Sequence, residues 1–482
     1  MKIIVSNKLR ITRIPPALCQ AIKFDLTFVN PKYLDNERMN RWQGNTEKYL
    51  FHYKEFKTIP LLQTPRGYLN ELLRLTDEYG ISVSIKNITK TKTPVNFEFN
   101  GELKDFQIPC NTAMLKHDIG VLQAPTGSGK TVMALHLIYE RKQPAIIVVH
   151  TKELLHQWIE RINTFLKIPR SQIGVISGDE KRLGTEITVA MAQTLFKHTS
   201  KFSNKIGHLI IDECHRCPSR TFLEIVGSFP CRYLLGLSAT PYRRDKLTKL
   251  IYLYLGNKEY SISQTALTRK GHILPFEIQW VFTEFQTQYD SVHEYSKMMS
   301  ELSKNEERNN LVCKKINEVN ANKTGIILII TDRQNHCDIL ARILEAEYKL
   351  SSVILTGAIT NKKDRKRIVQ NLIAGKTKIL IATGQLIGEG FDLPKLENIF
   401  LTMPVKFKGR LIQLIGRCAR PSKNQNTANV IDFVDLKIKT LYNSAKHRFG
   451  IYQSLNAKIN PLPIFQNHEI ISNSKIKFKK GV

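Results

Sequence analysis

From Gly120 onward, short apolar runs alternate with stretches whose apolar residues recur at helical spacing, the pattern of parallel strands joined by crossover helices. That alternation occurs twice. The first block carries strand-sized runs at Val121 and Leu122, Ile146 to Val149, Ile187 to Ala190, Leu209 to Ile211 and Leu234 to Leu237. The second carries them at Ile326 to Ile330, Val353 to Leu355, Ile379 to Ala382, Ile399 to Leu401 and Val430 to Phe433. Each block is about one domain long. Between them, Tyr289 to Val319 sets Val292, Tyr295, Met299 and Leu302 at helical spacing ahead of a charged Glu306-Glu307-Arg308 stretch, which predicts helical structure near the domain junction.

The first hundred residues read differently. Strand-like segments fall at Leu9 to Ile14, Leu26 to Val29, Tyr49 to Phe56 and Ile81 to Ile88, and one helix at Tyr68 to Tyr79 ends on Gly80, the residue type favoured just past a helix C-terminus. The aromatics Tyr49, Phe51, Tyr53 and Phe56 mostly alternate as a strand core would. The predicted organisation is α/β: a small α+β domain over residues 1–95, two larger α/β domains over 96–270 and 271–460, and a basic tail over 461–482. Three domains agree with 482 residues at about 150 per domain. No fixed-period repeat or low-complexity segment interrupts the chain.

Charge adds a partner to this picture. Lys and Arg number 72 against 42 Asp and Glu, a net charge of +30 with pI near 9.7, while 42% of residues are hydrophobic. Such a chain folds, repels itself and attracts a polyanion, nucleic acid before a membrane surface. Ordinary counts of 25 Gly and 19 Pro exclude collagen and pervasive disorder. The longest apolar runs fall far short of the roughly 18–20 residues that a transmembrane helix requires. The Lys2-Ile-Ile-Val5 start breaks into Ser6, Asn7 and Lys8 without a secretory core, so a cytoplasmic location is expected, in the bacterial host if the chain is phage-encoded. Eight cysteines in this length do not make a disulfide framework, and the one C-x-x-C pair, Cys214 and Cys217, lacks the two further ligands a zinc site needs.

The chemistry begins at Ala124-Pro-Thr126-Gly127-Ser128-Gly129-Lys130-Thr131, between the run at Val121-Leu122 and a predicted helix over Val132 to Arg141. Strand, glycine loop and helix are the context in which backbone N–H groups cradle phosphates, the helix N-terminus adds its positive end, Lys130 reaches the terminal phosphates and Thr131 can ligate Mg²⁺. Ala124 stands where the strict pattern has a leading Gly. Further along, the run Leu209-Ile-Ile211 ends in Asp212-Glu213-Cys214-His215. A carboxylate at a strand end, downstream of such a loop, is where an ATPase holds Mg²⁺, and a second beside it can polarise the attacking water.

These segments, with Ser238-Ala-Thr240-Pro241 and Gln413-Leu-Ile-Gly416-Arg417-Cys-Ala-Arg420, resemble motifs I, II, III and VI of the superfamily 2 helicases, the second in its DExH form. Thr151-Lys-Glu-Leu-Leu-His-Gln-Trp158 resembles motif Ia, Ala192-Gln193-Thr194-Leu195 the Ib region, and Ala382-Thr383 through Gly388-Glu-Gly-Phe-Asp392-Leu-Pro394 motif V. Gly101-Glu-Leu-Lys104-Asp-Phe106-Gln107 is similar to the glutamine element that reads adenine. Together they cover roughly residues 100 to 440 in the family's order. Within the superfamily, Ala239-Thr-Pro-Tyr-Arg243-Arg244-Asp245, the GFDLP form of motif V and Pro65-Arg66-Gly67 resemble the XPB and UvsW group, with RecG more distant and a phage branch-migration helicase the nearest picture.

The resemblance implies two tandem RecA-like domains with ATP between them, Gln107 and the glycine loop on one side and Asp392, Gln413, Arg417 and Arg420 on the other. Arg417 and Arg420 would then stabilise charge developing on the phosphoryl group. Lys130, Asp212, Glu213 and His215 complete the catalytic set, Thr131 and Asp212 hold Mg²⁺, and Ser238 and Thr240 link the phosphate site to the nucleic-acid groove. Strand contacts fall to Gln193, Thr194, Thr356, Gly357 and Thr383, for which helix caps or turns are the plain alternative. Arg243 and Arg244 suit phosphate contact or an interdomain ion pair equally. Lys54, Lys57, Arg66 and Arg74 would let the N-terminal domain bind a duplex arm, unless that domain only supports the motor. The implied activity is an ATP-dependent DNA helicase or translocase on forks and junctions in recombination, repair or replication, working as a monomeric motor. An RNA helicase, a binding scaffold with a silent ATP site and a restriction-motor subunit are the alternatives.

Overall fold

The computed structural model describes residues 1–56, 58–215, 219–239, 247–322, 325–359, 361–384, 396–404, 411–412, 415–416, 418 and 427–461. Two compact units divide the chain, one of residues 1–125 and 129–262, the other of 126–128 and 263–482. The division at 262/263 falls eight residues before the expected one at 270/271.

The N-terminal lobe lies in the first unit. Strands β1 (Lys2–Val5), β2 (Lys8–Thr12), β3 (Thr27–Val29), β4 (Tyr49–Phe51), β5 (Lys54–Phe56), β6 (Leu61–Pro65) and β7 (Ser84–Asn87) appear in chain order. Among the described residues, five of them form a sheet in the order β5-β6-β2-β1-β7, and β3 pairs with β4 in a separate ribbon. The segment read as one strand from Tyr49 to Phe56 is therefore broken: β4 runs antiparallel to β3 and β5 antiparallel to β6. This corrects the core assignment of Tyr49 and Phe51, while Tyr53 packs against the core as expected. Leu50 packs inward beside Phe28, while Tyr49 and Phe51, one position either side on the pleat, face solvent. Helices Pro16–Asp25 and Pro31–Arg38 open on prolines, which sit where the missing N–H costs nothing. The helix after Pro65 runs over Leu69–Glu78, with Gly80 at φ +62° as its terminator.

The lobe does not have a core of its own. Ile3, Leu9, Ile11, Leu18, Ile22 and Leu72 close around Leu247, Leu250 and Leu253, contributed by the helix Thr248–Leu255 and the residue before it. At the join Gly67 lies so close to that helix that a Cβ would stand 2.3 Å from the Tyr252 carbonyl oxygen.

The rest of the first unit is a sheet of β8 (Ile119–Gln123), β9 (Ala145–Val149), β10 (Gly174–Ser177), β11 (Glu180–Arg182), β12 (Ile187–Met191), β13 (His208–Ile211), β14 (Tyr233–Ser238) and β15 (Lys258–Ser261). Their order is β11-β10-β12-β9-β13-β14-β8-β15, parallel except for the β10–β11 hairpin. All five predicted apolar runs are strands here, and β9 is buried at every residue because helices cover both faces. The second unit is an all-parallel sheet of β16 (Phe276–Thr283), β17 (Ile326–Thr331), β18 (Ser352–Leu355), β19 (Ile379–Thr383), β20 (Leu396–Leu401), β21 (Ala428–Asp435) and β22 (Lys458–Asn460), in the order β18-β19-β17-β20-β21-β16-β22. Its core gathers Val312 and Ile316, Leu340 and Leu344, and Ile329, Ile381, Phe400 and Phe433. The predicted helical stretch ahead of β17 is two helices, Tyr295–Lys304 and Glu306–Asn322. The fold is thus a small α+β lobe followed by two parallel α/β sheets flanked by helices, the RecA-like pair that was expected. No helix of the described residues is long and apolar enough to cross a membrane.

Candidate functional site

In the first unit the site residues gather where parallel strands end at their carboxyl edge, the edge that collects ligands in open α/β sheets. Strand β8 delivers the glycine loop, which turns directly into the helix Lys130–Arg141. Gly127 and Gly129 take φ +86° and +83°, values a side chain resists and a turn that cradles phosphates uses. The Lys130 ammonium folds back over the loop and donates to the Ala124 carbonyl at 3.1 Å. Buried Gln107, at the start of the helix Ile108–Leu115, holds its own turn by accepting from the Lys104 N–H at 3.0 Å and lays its amide against the loop. A Cβ on Gly129 would stand 2.4 Å from Gln107 Nε2, so glycine is what lets glutamine and loop meet.

Two strands away, β13 delivers Asp212, whose N–H stays in the ladder by donating to the Val148 carbonyl. The carboxylate is buried and receives one donor on each oxygen, Trp158 Nε1 on Oδ2 at 2.8 Å and the Glu213 N–H on Oδ1 at 2.9 Å. Burial first, and the charge of Glu213 second, raise the Asp212 carboxyl to about 6, against the opposing pull of the Trp158 hydrogen bond and Lys130. Glu213 occupies the left-handed region at φ +46°, a strained turn for a non-glycine residue. Its carboxylate lies 3.4 Å from His215 Nδ1, and that nitrogen sits 2.7 Å from the Ser238 hydroxyl. Ser238 ends β14 and its carbonyl accepts from the Ala124 N–H at 3.0 Å. Loop, acidic pair, histidine and serine are thereby tied in one run.

The donor set suits a hard divalent cation, because Asp212 keeps an unused lone pair on each oxygen and Thr131 offers a hydroxyl on the first helical turn. Two such ligands are too few to cage an ion by themselves. Among the described residues no group of three or more His, Cys, Asp or Glu is arranged to hold a metal.

The remaining expected residues are dispersed. Exposed Gln193 and half-buried Thr194 lie on the short helix Ala192–Phe196, where the Thr194 hydroxyl accepts from the Gly178 N–H at 3.2 Å. In the second unit, Thr356 and Gly357 follow β18 while Thr383 ends the adjacent β19, so all three share one edge of that sheet. Thr356 closes a turn by accepting from the Ile359 N–H, and Gly357 has open space where a side chain would be. Thr240, Arg243, Arg244, Asp392, Gln413, Arg417 and Arg420 lie outside the described residues.

One basic residue proposed for a duplex arm is differently employed. Arg66 is 4% exposed and donates to the Cys231 and Arg232 carbonyls, each at 2.7 Å. Arg74 is exposed but paired with Glu71 and Glu78. Sequence reasoning quoted Trp158 within a motif without giving it a role. Its burial was legible from the stripe Leu155, Trp158, Ile162 and Leu166, but its partner, 54 positions along the chain, was not.

Comparison with known proteins agrees with this geometry. The family described as "Type III restriction enzyme, res subunit" matches residues 85–243, and "Helicase conserved C-terminal domain" matches 307–422. The DNA 3'-5' translocase XPB2 of Sulfurisphaera tokodaii is 28% identical over 365 residues, covering 69% of this chain and 81% of that protein. A protein of invertebrate iridescent virus 3 named as a helicase, 109L, is 34% identical over 222 residues, 42% of this chain and 67% of its own. Among solved structures, S. cerevisiae Dbp5 bound to RNA and ADP BeF3 superposes with a TM-score of 0.53 at 16% identity, over 74% of this chain and 89% of that one, a likeness of fold.

Proposed function

This chain belongs to the superfamily 2 helicases, related to the XPB and UvsW group, and from that premise we propose that it is an ATP- and Mg²⁺-dependent DNA translocase that remodels forks and junctions. The observation that carries the reading is the run of contacts from the glycine loop to Glu213, hydrogen-bonded from Ala124 to Ser238 and from Ser238 to His215, with the Glu213 carboxylate 3.4 Å from the same imidazole nitrogen, because it joins a phosphate cradle to a base and to a strand end that can report its state.

Each residue then has a task. Gln107 reads adenine beside the loop, and the backbone of Thr126 to Gly129 holds the phosphates. Lys130 leaves the Ala124 carbonyl to neutralise the terminal phosphate. Thr131 and Asp212, together with the nucleotide, would hold Mg²⁺, which would supply charge neutralisation at the phosphoryl group. Glu213 orients the attacking water and accepts its proton, with His215 fixing the Glu213 carboxylate. Arg417 and Arg420 stabilise the transferring phosphoryl charge, and Gln413 and Asp392 are assigned to the same nucleotide. Ser238 and Thr240 carry the change toward Gln193, Thr194, Thr356, Gly357 and Thr383, whose hydroxyl and amide groups, with Arg243 and Arg244, grip phosphates without reading sequence. The net charge of +30 supports a polyanionic track, and the DNA translocase named above supports DNA over RNA.

Steady-state ATPase with Mg²⁺ tests this, with no polymer, single-stranded DNA, duplex DNA, a four-way junction and RNA as the arms and Lys130→Ala as the blank. Stimulation is expected to be greatest with the junction and absent in the variant. Stimulation by RNA alone replaces the reading with an RNA helicase, and no stimulation by any polymer replaces it with a binding scaffold.

A further inference from the structure

The helix Lys152–Leu166 begins on Thr151, whose hydroxyl caps it by accepting from the Leu154 N–H at 3.2 Å. Leu155, Trp158, Ile162 and Leu166 form its buried face. Three of these four are aliphatic. The fourth is the largest of them and the only one of the four with a polar atom in its side chain. Trp158 is 2% exposed, and its indole N–H, which can donate but never accept, is spent on Asp212 Oδ2 at 2.8 Å.

A carboxylate at the end of a strand can turn about its side-chain bonds, and each rotation changes which lone pairs it offers. Asp212 is stopped from turning by two donors at right places: a backbone N–H on Oδ1 and the indole on Oδ2. The backbone donor comes from the next residue in the chain and moves with the strand end. The indole comes from a packed helix and refers the carboxylate to the body of the domain.

We propose that Trp158 is a positioning residue for the metal-bound nucleotide, fixing the orientation in which the Asp212 carboxylate would meet the cation. The inference rests on the reading of Asp212 as a metal ligand. It assigns a function to the helix that follows Thr151 beyond packing: that helix sets the orientation of the carboxylate that meets the cation.

Isothermal titration with ADP, once in EDTA and once with Mg²⁺, separates the contributions. In the parent, Mg²⁺ strengthens ADP binding, and Asp212→Asn removes that gain. Trp158→Phe keeps a ring and deletes the donor. Replacement of Trp158 by 3-benzothienylalanine puts sulfur where the N–H was and keeps the indole's shape, so it reads the hydrogen bond even if the smaller phenyl ring disturbs folding. Both variants are expected to lose about tenfold of the Mg²⁺-dependent gain, the weight of a hydrogen bond to a charged acceptor, with ADP affinity in EDTA and the thermal midpoint of the benzothienyl protein unchanged. An undiminished gain in the benzothienyl protein, beside a lost gain in Asp212→Asn, overturns the role of Trp158 alone. A gain that survives in Asp212→Asn overturns the metal-ligand reading and this inference with it.

Discussion

Arg308 grips Asp435 inside the second unit with both arms of its guanidinium, Nε to Oδ1 at 2.8 Å and Nη2 to Oδ2 at 3.1 Å, and neither side chain is more than 2% exposed. The arginine opens the helix Glu306–Asn322, the aspartate ends β21, and the Thr283 hydroxyl at the end of β16 donates to the same carboxylate. Three elements distant in sequence are therefore pinned through one buried charge pair. Removing one member strands the other in a medium that cannot solvate it. Arg308→Ala is expected to destabilise the second unit by about 3–5 kcal/mol, whereas Arg308→Met combined with Asp435→Leu loses far less. Urea unfolding of the three proteins checks this, and an equal loss in single and double variants contradicts it.

Beside that pair lies a neutral histidine whose tautomer the hydrogen bonds fix. The Asn309 amide spends its NH₂ on the Ser303 carbonyl, so its oxygen faces His336 Nε2 at 2.9 Å and that nitrogen carries the proton. His336 Nδ1 then accepts from the Thr331 hydroxyl at 2.8 Å. Burial first, and Arg308 second, lower His336 to about 3. The unfolded chain, with an ordinary histidine near 6.5, binds this proton over a range in which the folded chain does not. Stability is therefore whole above pH 6.5 and falls as pH drops toward 3, by about 1.4 kcal/mol per unit. Buried His208 and half-buried His52 are lowered as well, so the difference between parent and His336→Gln isolates this one group. Thermal midpoints between pH 7.5 and 5 should diverge with the parent steeper; parallel profiles would sink the assignment.

What the chain discloses before folding follows from how local each feature is. Strands such as β9 and β17 are apolar throughout because both faces are covered, and that continuity is visible in one short window. The glycine loop is equally local, since β8, loop and helix adjoin. β16 escaped notice although Phe276, Ile278 and Trp280 alternate inward, because its neighbours β21 and β22 follow some 150 residues later and nothing nearby marks it as a sheet member. The link from Trp158 to Asp212 is of the same kind. Each partner has a local reason to be buried, and only the fold brings them together.

Arg66 carries a prediction about where DNA does not bind. Its two hydrogen bonds hold the chain just before β14, and Gly67 seats the turn against the helix Thr248–Leu255. Arg66→Ala leaves two carbonyls without their donors and is expected to cost about 3 kcal/mol. Lysine reaches only one carbonyl and should rescue little. DNA affinity of the folded fraction should keep its dependence on salt, because no phosphate contact is lost. A variant as stable as the parent, binding DNA with a shallower salt slope, would return Arg66 to the nucleic-acid surface.

The contact between Gly129 and Gln107 makes the adenine end of the site testable without turnover. A side chain at φ +83° costs about 1–2 kcal/mol by itself. Its Cβ would also lie 2.4 Å from Gln107 Nε2. That atom is the far end of a flexible side chain, so in Gly129→Ala the glutamine swings away and the protein still folds. The loss should then fall on nucleotide binding through two routes, a distorted loop and a displaced amide. Gln107→Ala removes the second route in advance. Adding Gly129→Ala to it should therefore weaken ADP binding less than the same change weakens it in the parent. Calorimetric affinities for the parent, both single variants and the double variant close the cycle. Strict additivity would mean that glutamine and loop act on the nucleotide independently, and that their close approach serves packing alone.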